Sequence, residues 1–395
     1  MNKRIRILIL SDYFIPGYKG GGAVRTVANM IDQLGNEIKF KVVTRDRDYL
    51  DKKPYPNICV NNWNNLGNAE VYYLSPKRQT PFFLRQIIDN TPHDILFFNS
   101  FFSFKFSIIP LLLYSFGFIK KNPVSLAPRG EFSPGALEIK KIKKIAFLSI
   151  ARIFGFYRKI AWLASTVYEK KEIHQWFGEK SFVIVARDMV QNKYLKVEKT
   201  HKKPGELKII FLSRISRKKN LTGALKILKN LTGNIEFNIY GPREDLRYWN
   251  ECKKQIKSLP PNIKAGYMGS IEHSRVPSIL SSHHLFFLPT FGENFGHVIL
   301  EAMLSGLPVL ISNQTPWQEL EKKGIGWDLP IEKHNLFCKV LQNYVAMDDK
   351  AFNEQSTKVQ NYALSCIKDD TVWNANRALF DKVINFHKGR RLDSL

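Results

Sequence analysis

The chain is expected to fold as α/β, with two doubly wound parallel-sheet domains. Three observations predict this. First, 395 residues suffice for two domains with buried cores. Second, short apolar runs of strand length alternate with helical patterns in both halves, as βαβ units do. Third, the polar, basic stretch Val197-Glu-Lys-Thr-His-Lys-Lys-Pro-Gly-Glu206 separates the halves like a linker. Domains are therefore placed at 1–195 and 196–370, followed by a helical segment at 371–395.

In the first half, strands are expected at Arg4–Leu10, Phe40–Thr44, Asp94–Phe98 and Pro123–Ala127. After the first comes Lys19-Gly20-Gly21-Gly22-Ala23, then a helical stretch from Val24 to Leu34. Glycines at a strand-to-helix turn let the backbone approach a phosphate closely, although glycines also merely make turns. The dinucleotide fingerprint G-x-G-x-x-G is absent. Ile95 to Phe118 is apolar enough to raise the question of a membrane span. Lys105 interrupts it and Pro110 lies within it, so a core strand followed by a buried or interfacial helix is expected.

The segment from Ile139 to Leu163 carries seven cations, including Lys140, Lys141, Lys143, Lys144 and Arg152, and no acid. As one helix, at about 100° per residue, it would gather the cations within roughly half its circumference and leave Ile, Leu, Phe and Trp opposite. Helices that lie in a bilayer interface have this form, as do ordinary surface helices of Lys-rich proteins. Gly155 would bend or split it.

In the second half, strands are expected at Lys208–Leu212, Glu236–Tyr240, near Ala265–Gly269, Leu285–Leu288 and Val309–Ser312. The first runs into a basic loop holding Arg214 and Lys219, then a helix from Thr222 to Lys229. The fourth leads into Phe291-Gly-Glu293-Asn294-Phe295-Gly296-His297, with apolar residues at helical spacing beyond. Glu293 then lies in the strand-to-helix loop and Glu301 about two turns into the helix. Amides at Asn294, Phe295 and Gly296 and the helix dipole favour an anion, while carboxylates accept from hydroxyls. One anion with several hydroxyls describes a sugar nucleotide. Alternatively, Glu293 caps the first turn and Glu301 faces water.

Composition narrows the classes. A net charge of +25, from 60 Lys and Arg against 35 Asp and Glu, asks for an anionic partner. Nucleic acid would call for a recognisable module or stacking motif, and none is found; an anionic membrane surface is expected instead. Cys59, Cys252, Cys338 and Cys366 are far apart, which indicates neither a disulfide framework nor a zinc site, and suggests cytosolic thiols. The apolar run Ile7–Leu10 is too short for a signal peptide.

Glu293 through Glu301, continued by Ala-Met-Leu-Ser-Gly-Leu-Pro-Val, resembles the E-x7-E signature of retaining glycosyltransferase family 4. Arg214 and Lys219 match that family's paired cations, Gly21 and Gly22 its first-domain glycine loop. Ser125-Leu-Ala-Pro-Arg129-Gly-Glu resembles a variant found among members that build surface polysaccharides. The resemblance spans nearly the whole chain. It implies the GT-B architecture, two Rossmann-like domains facing across a cleft, with the last helix crossing back to the first domain. It implies a nucleoside-diphosphate sugar as co-substrate, with no cofactor or metal, and a hinge that closes over the site. The acceptor would be a hydroxyl of a saccharide or lipid-linked saccharide, on the inner face of the cell membrane.

By the same resemblance, Arg214, Lys219, Gly21, Gly22, Phe295 and Gly296 hold the diphosphate. Glu301 takes the ribose hydroxyls, and Glu293 orients the sugar beside Asn294. Many relatives carry a first-domain histidine beside the transferred sugar, where this chain offers Asn99-Ser100 and Pro128-Arg129-Gly130. Arg129 is the candidate substitute, pairing with Glu131 or contacting a substrate; equally, it ties down its loop. His297 is expected to pack on its helix. Two other classes stay open: a sugar-nucleotide epimerase on the same nucleotide pocket, and a non-catalytic basic binding protein.

Overall fold

A computed structural model describes residues 4–138, 140–191 and 200–392. Ile139, the start of the linker at 197–199 and the expected boundary at 195/196 lie outside the described residues. The chain divides into two compact units, Met1–Val190 with Asp370–Leu395, and Gln191–Asp369.

The first unit is built on β1 (Arg6–Leu10), β2 (Lys39–Arg45), β3 (Trp63–Leu66), β4 (Ala69–Leu74), β5 (Ile95–Phe98), β6 (Val124–Leu126), β7 (Ala161–Ala164) and β8 (Val183–Val185). They form one sheet in the order β3-β4-β2-β1-β5-β6-β7-β8, parallel except where β3 pairs with β4. Successive side chains of a strand point to opposite faces. Ile7 and Ile9 accordingly enter one buried cluster with Val27 and Phe380, and Leu8 and Leu10 another with Leu84 and Trp162. Both faces are covered, which is why β1 reads as an unbroken apolar run. Each such buried side chain contributes roughly 1.5–3 kcal/mol.

The helix Asp370–Leu392 packs within this unit. Phe380 meets Phe40 edge-on, Phe386 stacks on Phe182 at 4.1 Å, and Asn376 donates to the Arg187 carbonyl at 2.9 Å.

Ile139–Leu163 does not form one helix. The helix spans Lys141–Ile153, and Gly155, at φ 65°, turns the chain toward β7. Ala161, Trp162 and Leu163 are central sheet residues, so their hydrophobicity serves the core. Lys140 sits in the left-handed conformation just before the helix. Lys144 is turned inward, donating to the Ala136 carbonyl at 2.7 Å with its ammonium 4.8 Å from the Phe102 ring centre. Lys141, Lys143 and Arg152 are exposed. The apolar stretch after β5 folds into a π-helical turn at Phe104–Ile108 and the short helix Ile109–Ser115. Among the described residues no helix is long and apolar enough to cross a membrane.

The second unit holds β9 (Glu206–Leu212), β10 (Asn234–Tyr240), β11 (Ile263–Gly269), β12 (Leu285–Leu288), β13 (Val309–Ser312) and β14 (Gly326–Leu329). All are parallel, in the order β11-β10-β9-β12-β13-β14.

In each unit the winding reverses beside the first strand, between β1 and β5 and between β9 and β12. The loops leaving the carboxyl ends of those strands diverge there, and doubly wound sheets bind ligands at that point. The Gly21-Gly22 loop follows β1 and Asn99 follows β5; Arg214 and Lys219 follow β9, and Glu293 follows β12.

Candidate active site

In the second unit the site grows from the loops after β9 and β12. Arg217–Lys219 makes a single 3-10 turn. Asn220 then adopts the left-handed conformation and caps the helix Leu221–Leu228 by accepting from Gly223 N at 3.2 Å. The other loop ends at Gly296, whose φ of 80° is left-handed, and the helix His297–Leu304 begins there. A side chain at Gly296 would be strained at this φ and would place Cβ 2.8 Å from Ile299 Cδ1, which favours glycine. Glu293 lies before this helix and does not cap it; Glu301 falls in its second turn.

The two loops are stitched together. Phe291 N and Thr290 Oγ1 donate to the Lys218 carbonyl at 2.8 and 3.1 Å. Asn220 Nδ2 donates to the Pro289 carbonyl at 3.0 Å, and Glu293 N to the Gln314 carbonyl at 3.1 Å. On this frame Lys219 Nζ donates to Glu293 Oε1, with the two side chains 10% and 11% exposed. That contact uses one of the ammonium's three donors and one carboxylate oxygen. No further hydrogen bond joins either side-chain group to the described residues, so capacity remains for a ligand.

Arg214 is half-open to solvent, with Nη1 3.0 Å from Glu244 Oε1. Glu301 Oε1 lies 3.8 Å from His273 Nδ1, and His273 Nε2 lies 3.1 Å from Gln191 Oε1. The amides of Asn294, Phe295 and Gly296 donate to no group among the described residues. Phe295 itself is buried against Trp317, whose indole donates to the Phe295 carbonyl at 2.7 Å. The His297 ring packs 4.9 Å from that of Phe295. Sequence reasoning missed Glu244 and His273. Glu244 could have been sought, since it follows β10, the neighbour of β9; nothing local marks His273.

Gly21 and Gly22 belong to the first unit. Gly21, at φ 75° and ψ −151°, precedes the helix Gly22–Leu34, and the Gly22 and Ala23 amides have no partner among the described residues. Asp48 fixes the approach to this turn by accepting from Tyr18 N at 2.7 Å and Lys19 N at 3.0 Å.

Arg129 does not pair with Glu131. Arg129 and Gly130 are both left-handed, at φ 57° and 71°, which turns the flanking side chains apart. Arg129 Nε donates to Asn99 Oδ1 at 2.8 Å and Nη1 to Asp188 Oδ1 at 2.7 Å, while Asp188 Oδ2 accepts from Thr26 at 2.9 Å. Asn99 also donates to Ser11 Oγ and to the Ala23 carbonyl, both at 3.2 Å. Glu131 is partly buried, accepting from Ser100 Oγ at 2.8 Å, Phe101 N at 2.6 Å and Phe102 N at 2.9 Å. Glu169 accepts from Gly130 N at 2.6 Å and Ser165 N at 2.8 Å. Burial pushes both carboxyls above their ordinary range, against the pull of these hydrogen bonds.

Known proteins share parts of this sequence and its fold. Over 112 residues the chain is 29% identical to 2-deoxystreptamine N-acetyl-D-glucosaminyltransferase of Niallia circulans, covering 28% of each chain. It is 21% identical over 367 residues to an uncharacterized 41.2 kDa protein in the cps region of Klebsiella pneumoniae, covering 90% of this chain and 95% of that one. The structure superposes on Anabaena Alr3699/HepE, solved in complex with UDP and glucose, with a TM-score of 0.70 at 16% identity. That match covers 96% of this chain and 99% of the other, and shows that the two-sheet fold is shared with GT-B proteins. Residues 192–345 match the family model Glycosyl transferases group 1. The segment carrying Arg214, Lys219, Glu293 and Glu301 thus lies within the match to the Glycosyl transferases group 1 model.

Proposed function

We propose that this protein is a retaining glycosyltransferase of family 4, moving a sugar from a nucleoside diphosphate to a hydroxyl of a lipid-linked saccharide in surface-polysaccharide synthesis. The carrying observation is the set of groups at the β9/β12 switch point: Lys219 bonded to Glu293, Arg214 beside Glu244, and amides at Asn294–Gly296 that donate to no group among the described residues. Breaking a sugar–phosphate bond leaves negative charge on the diphosphate. Fixed cations and oriented amides stabilise that charge without reorganising, the part a divalent ion plays in other transferases. Lys219 and Arg214 hold the diphosphate, helped by the Phe295 and Gly296 amides; within the first unit, the turn at Gly21 and Gly22 offers an anion amides of its own. Glu293, positioned by Lys219, accepts from hydroxyls of the transferred sugar, and Glu301 from those of the ribose. The departing diphosphate oxygen takes the acceptor proton. Arg129 acts by holding the first-unit loops in place.

An inner-face membrane surface is the second partner. Its support is an exposed aromatic chain at the end of the Lys141–Ile153 helix: Phe154 stacks on Phe156 at 5.6 Å, and Phe156 meets Phe116 at 6.1 Å. Phe154 is 67% and Phe116 64% exposed, with Ile153, Arg152, Arg158 and Lys159 exposed nearby in sequence. Apolar side chains ringed by cations suit an anionic bilayer interface. Phe154→Ser should weaken binding to phosphatidylglycerol vesicles; unchanged binding would remove this face.

The donor reading is tested by thermal stabilisation with UDP, GDP, ADP and CDP. Stabilisation by one of them, reduced in Arg214→Ala, is the expected result. No response to any of them would overturn it.

A further inference from the structure

At the carboxyl edge of the first sheet, Arg45, the last residue of β2, meets Asp12, Gln79 and Lys105 from the segments that follow β1, β4 and β5. Gln79 is buried, and its Nε2 donates to the Leu74 carbonyl at 3.0 Å, which fixes Oε1 toward the cations. That one neutral oxygen accepts from Arg45 Nη1 at 3.4 Å and from Lys105 Nζ at 3.3 Å. Both contacts are long for a charged donor, which prefers about 2.7–2.9 Å to an anionic oxygen. Asp12 balances Arg45, whereas Lys105, partly buried, has no carboxylate within salt-bridge reach among the described residues. The Arg45 guanidinium is further set in place 5.4 Å from the ring centres of both Tyr13 and Phe106. Lys105 is carried by the π-helical turn, a local distortion frequent at functional sites.

We propose that Arg45, Lys105 and Gln79 form an oxyanion subsite that takes the phosphate of an amphiphilic, phosphate-bearing acceptor. Two convergent cations with one net uncompensated charge fit a phosphate, whose several oxygens accept from both at once. Phe104, next to Lys105, and Phe82, three residues beyond Gln79, are 64% and 69% exposed, offering apolar surface for a chain on that phosphate. The proposal rests on the transferase reading and names the class of its acceptor. The same phosphate chemistry could come from a membrane headgroup or from free phosphate, and the test separates these sources.

The full chain is titrated calorimetrically with octyl phosphate kept below its micelle concentration, and with inorganic phosphate. Lys105→Gln should weaken octyl phosphate binding by about tenfold, the loss of one charge-assisted hydrogen bond. Gln79→Glu supplies a carboxylate to both cations, so it should raise Tm and abolish that binding. Octyl phosphate binding that neither variant changes belongs elsewhere and overturns the subsite. Equal affinity for inorganic phosphate overturns the amphiphilic ligand. Loss of phosphatidylglycerol vesicle binding in Lys105→Gln as large as its loss of octyl phosphate binding overturns the acceptor in favour of a headgroup. Nucleoside-diphosphate stabilisation reads the second unit separately: if it persists while octyl phosphate fails to bind, only the subsite falls, and if it is absent from the wild type, the donor reading falls.

Discussion

The charged pairs at the two switch points are similarly buried but differently finished. Arg129 and Asp188, 13% and 5% exposed, are closed into a network, with Asn99 accepting from Arg129 and Thr26 donating to Asp188. Lys219 and Glu293 are bonded to each other, and hydrogen-bonding capacity on both is left over. A closed network rigidifies the loops that carry it, whereas an open pair can exchange partners with a ligand. The Arg129–Asp188 pair thus serves to fix its loops, whereas the Lys219–Glu293 pair keeps donors and acceptors open to a ligand.

The largest expected effect follows from the open pair. Glu293→Gln keeps the shape but removes the charge that positions Lys219 and that, in the proposed role, accepts from the sugar. The kcat should fall by about 100- to 1000-fold, the loss typical of one transition-state-stabilising group, with an unchanged circular dichroism spectrum. Retained turnover would break the contrast between the two pairs.

Arg129→Met tests the closed network. It leaves Asp188 buried without its cation, so denaturant unfolding of the first unit should lose about 3–5 kcal/mol. Turnover per folded molecule should change far less. The reverse outcome, stability kept and turnover lost, would move Arg129 from loop support into contact with substrate.

The units should also differ in acid. His284 Nδ1 accepts from Lys208 N at 3.0 Å, and its Nε2 lies 3.0 Å from the His201 carbonyl, an arrangement that suits the neutral ring. Burial pushes its pKa down to about 4, and buried His283 is lowered too. A depressed histidine takes up its proton first in the unfolded chain, so its contribution is full above about pH 6.5 and is lost toward pH 4. For His284 that amounts to roughly 3 kcal/mol. In the first unit buried His93 is lowered as well, but Glu131 and Glu169 are raised, which favours the folded form as pH falls and opposes that loss. Amide hydrogen exchange, corrected for intrinsic rates, should therefore show the second unit losing protection first between pH 6.5 and 4.5. Parallel loss in both units would remove the difference.

Much of this frame was readable in the sequence, and the failures have physical causes. β1 was legible because a parallel strand buried on both faces is an unbroken apolar run. Arg214, Lys219 and Glu293 were legible because each leaves a strand end beside a helical pattern. β7 was hidden inside a basic amphipathic stretch whose period matched a helix until Gly155. β3, Trp-Asn-Asn-Leu, carries residues depleted from strands and exists because the turn at Gly67-Asn68 pairs it with β4. The partners of the site residues were the least legible. Asp188 meets Arg129 from 59 positions away, while neighbouring Glu131 is turned aside by two left-handed residues.

The smallest expected effect concerns Arg214. Its pair with Glu244 is 40% and 29% exposed, so solvent screens it and it adds under about 1 kcal/mol to stability. Arg214→Ala should leave Tm almost unchanged, yet weaken nucleoside-diphosphate binding by about tenfold, because against a diphosphate the guanidinium makes charge-assisted bonds that Glu244 only partly replaces. Glu244→Gln frees the same guanidinium and should tighten that binding slightly. Calorimetric titration of both variants decides it. If both weaken binding alike, Arg214 and Glu244 act as one structural pair and belong with the closed network of the first unit; opposite signs place Arg214 on the ligand.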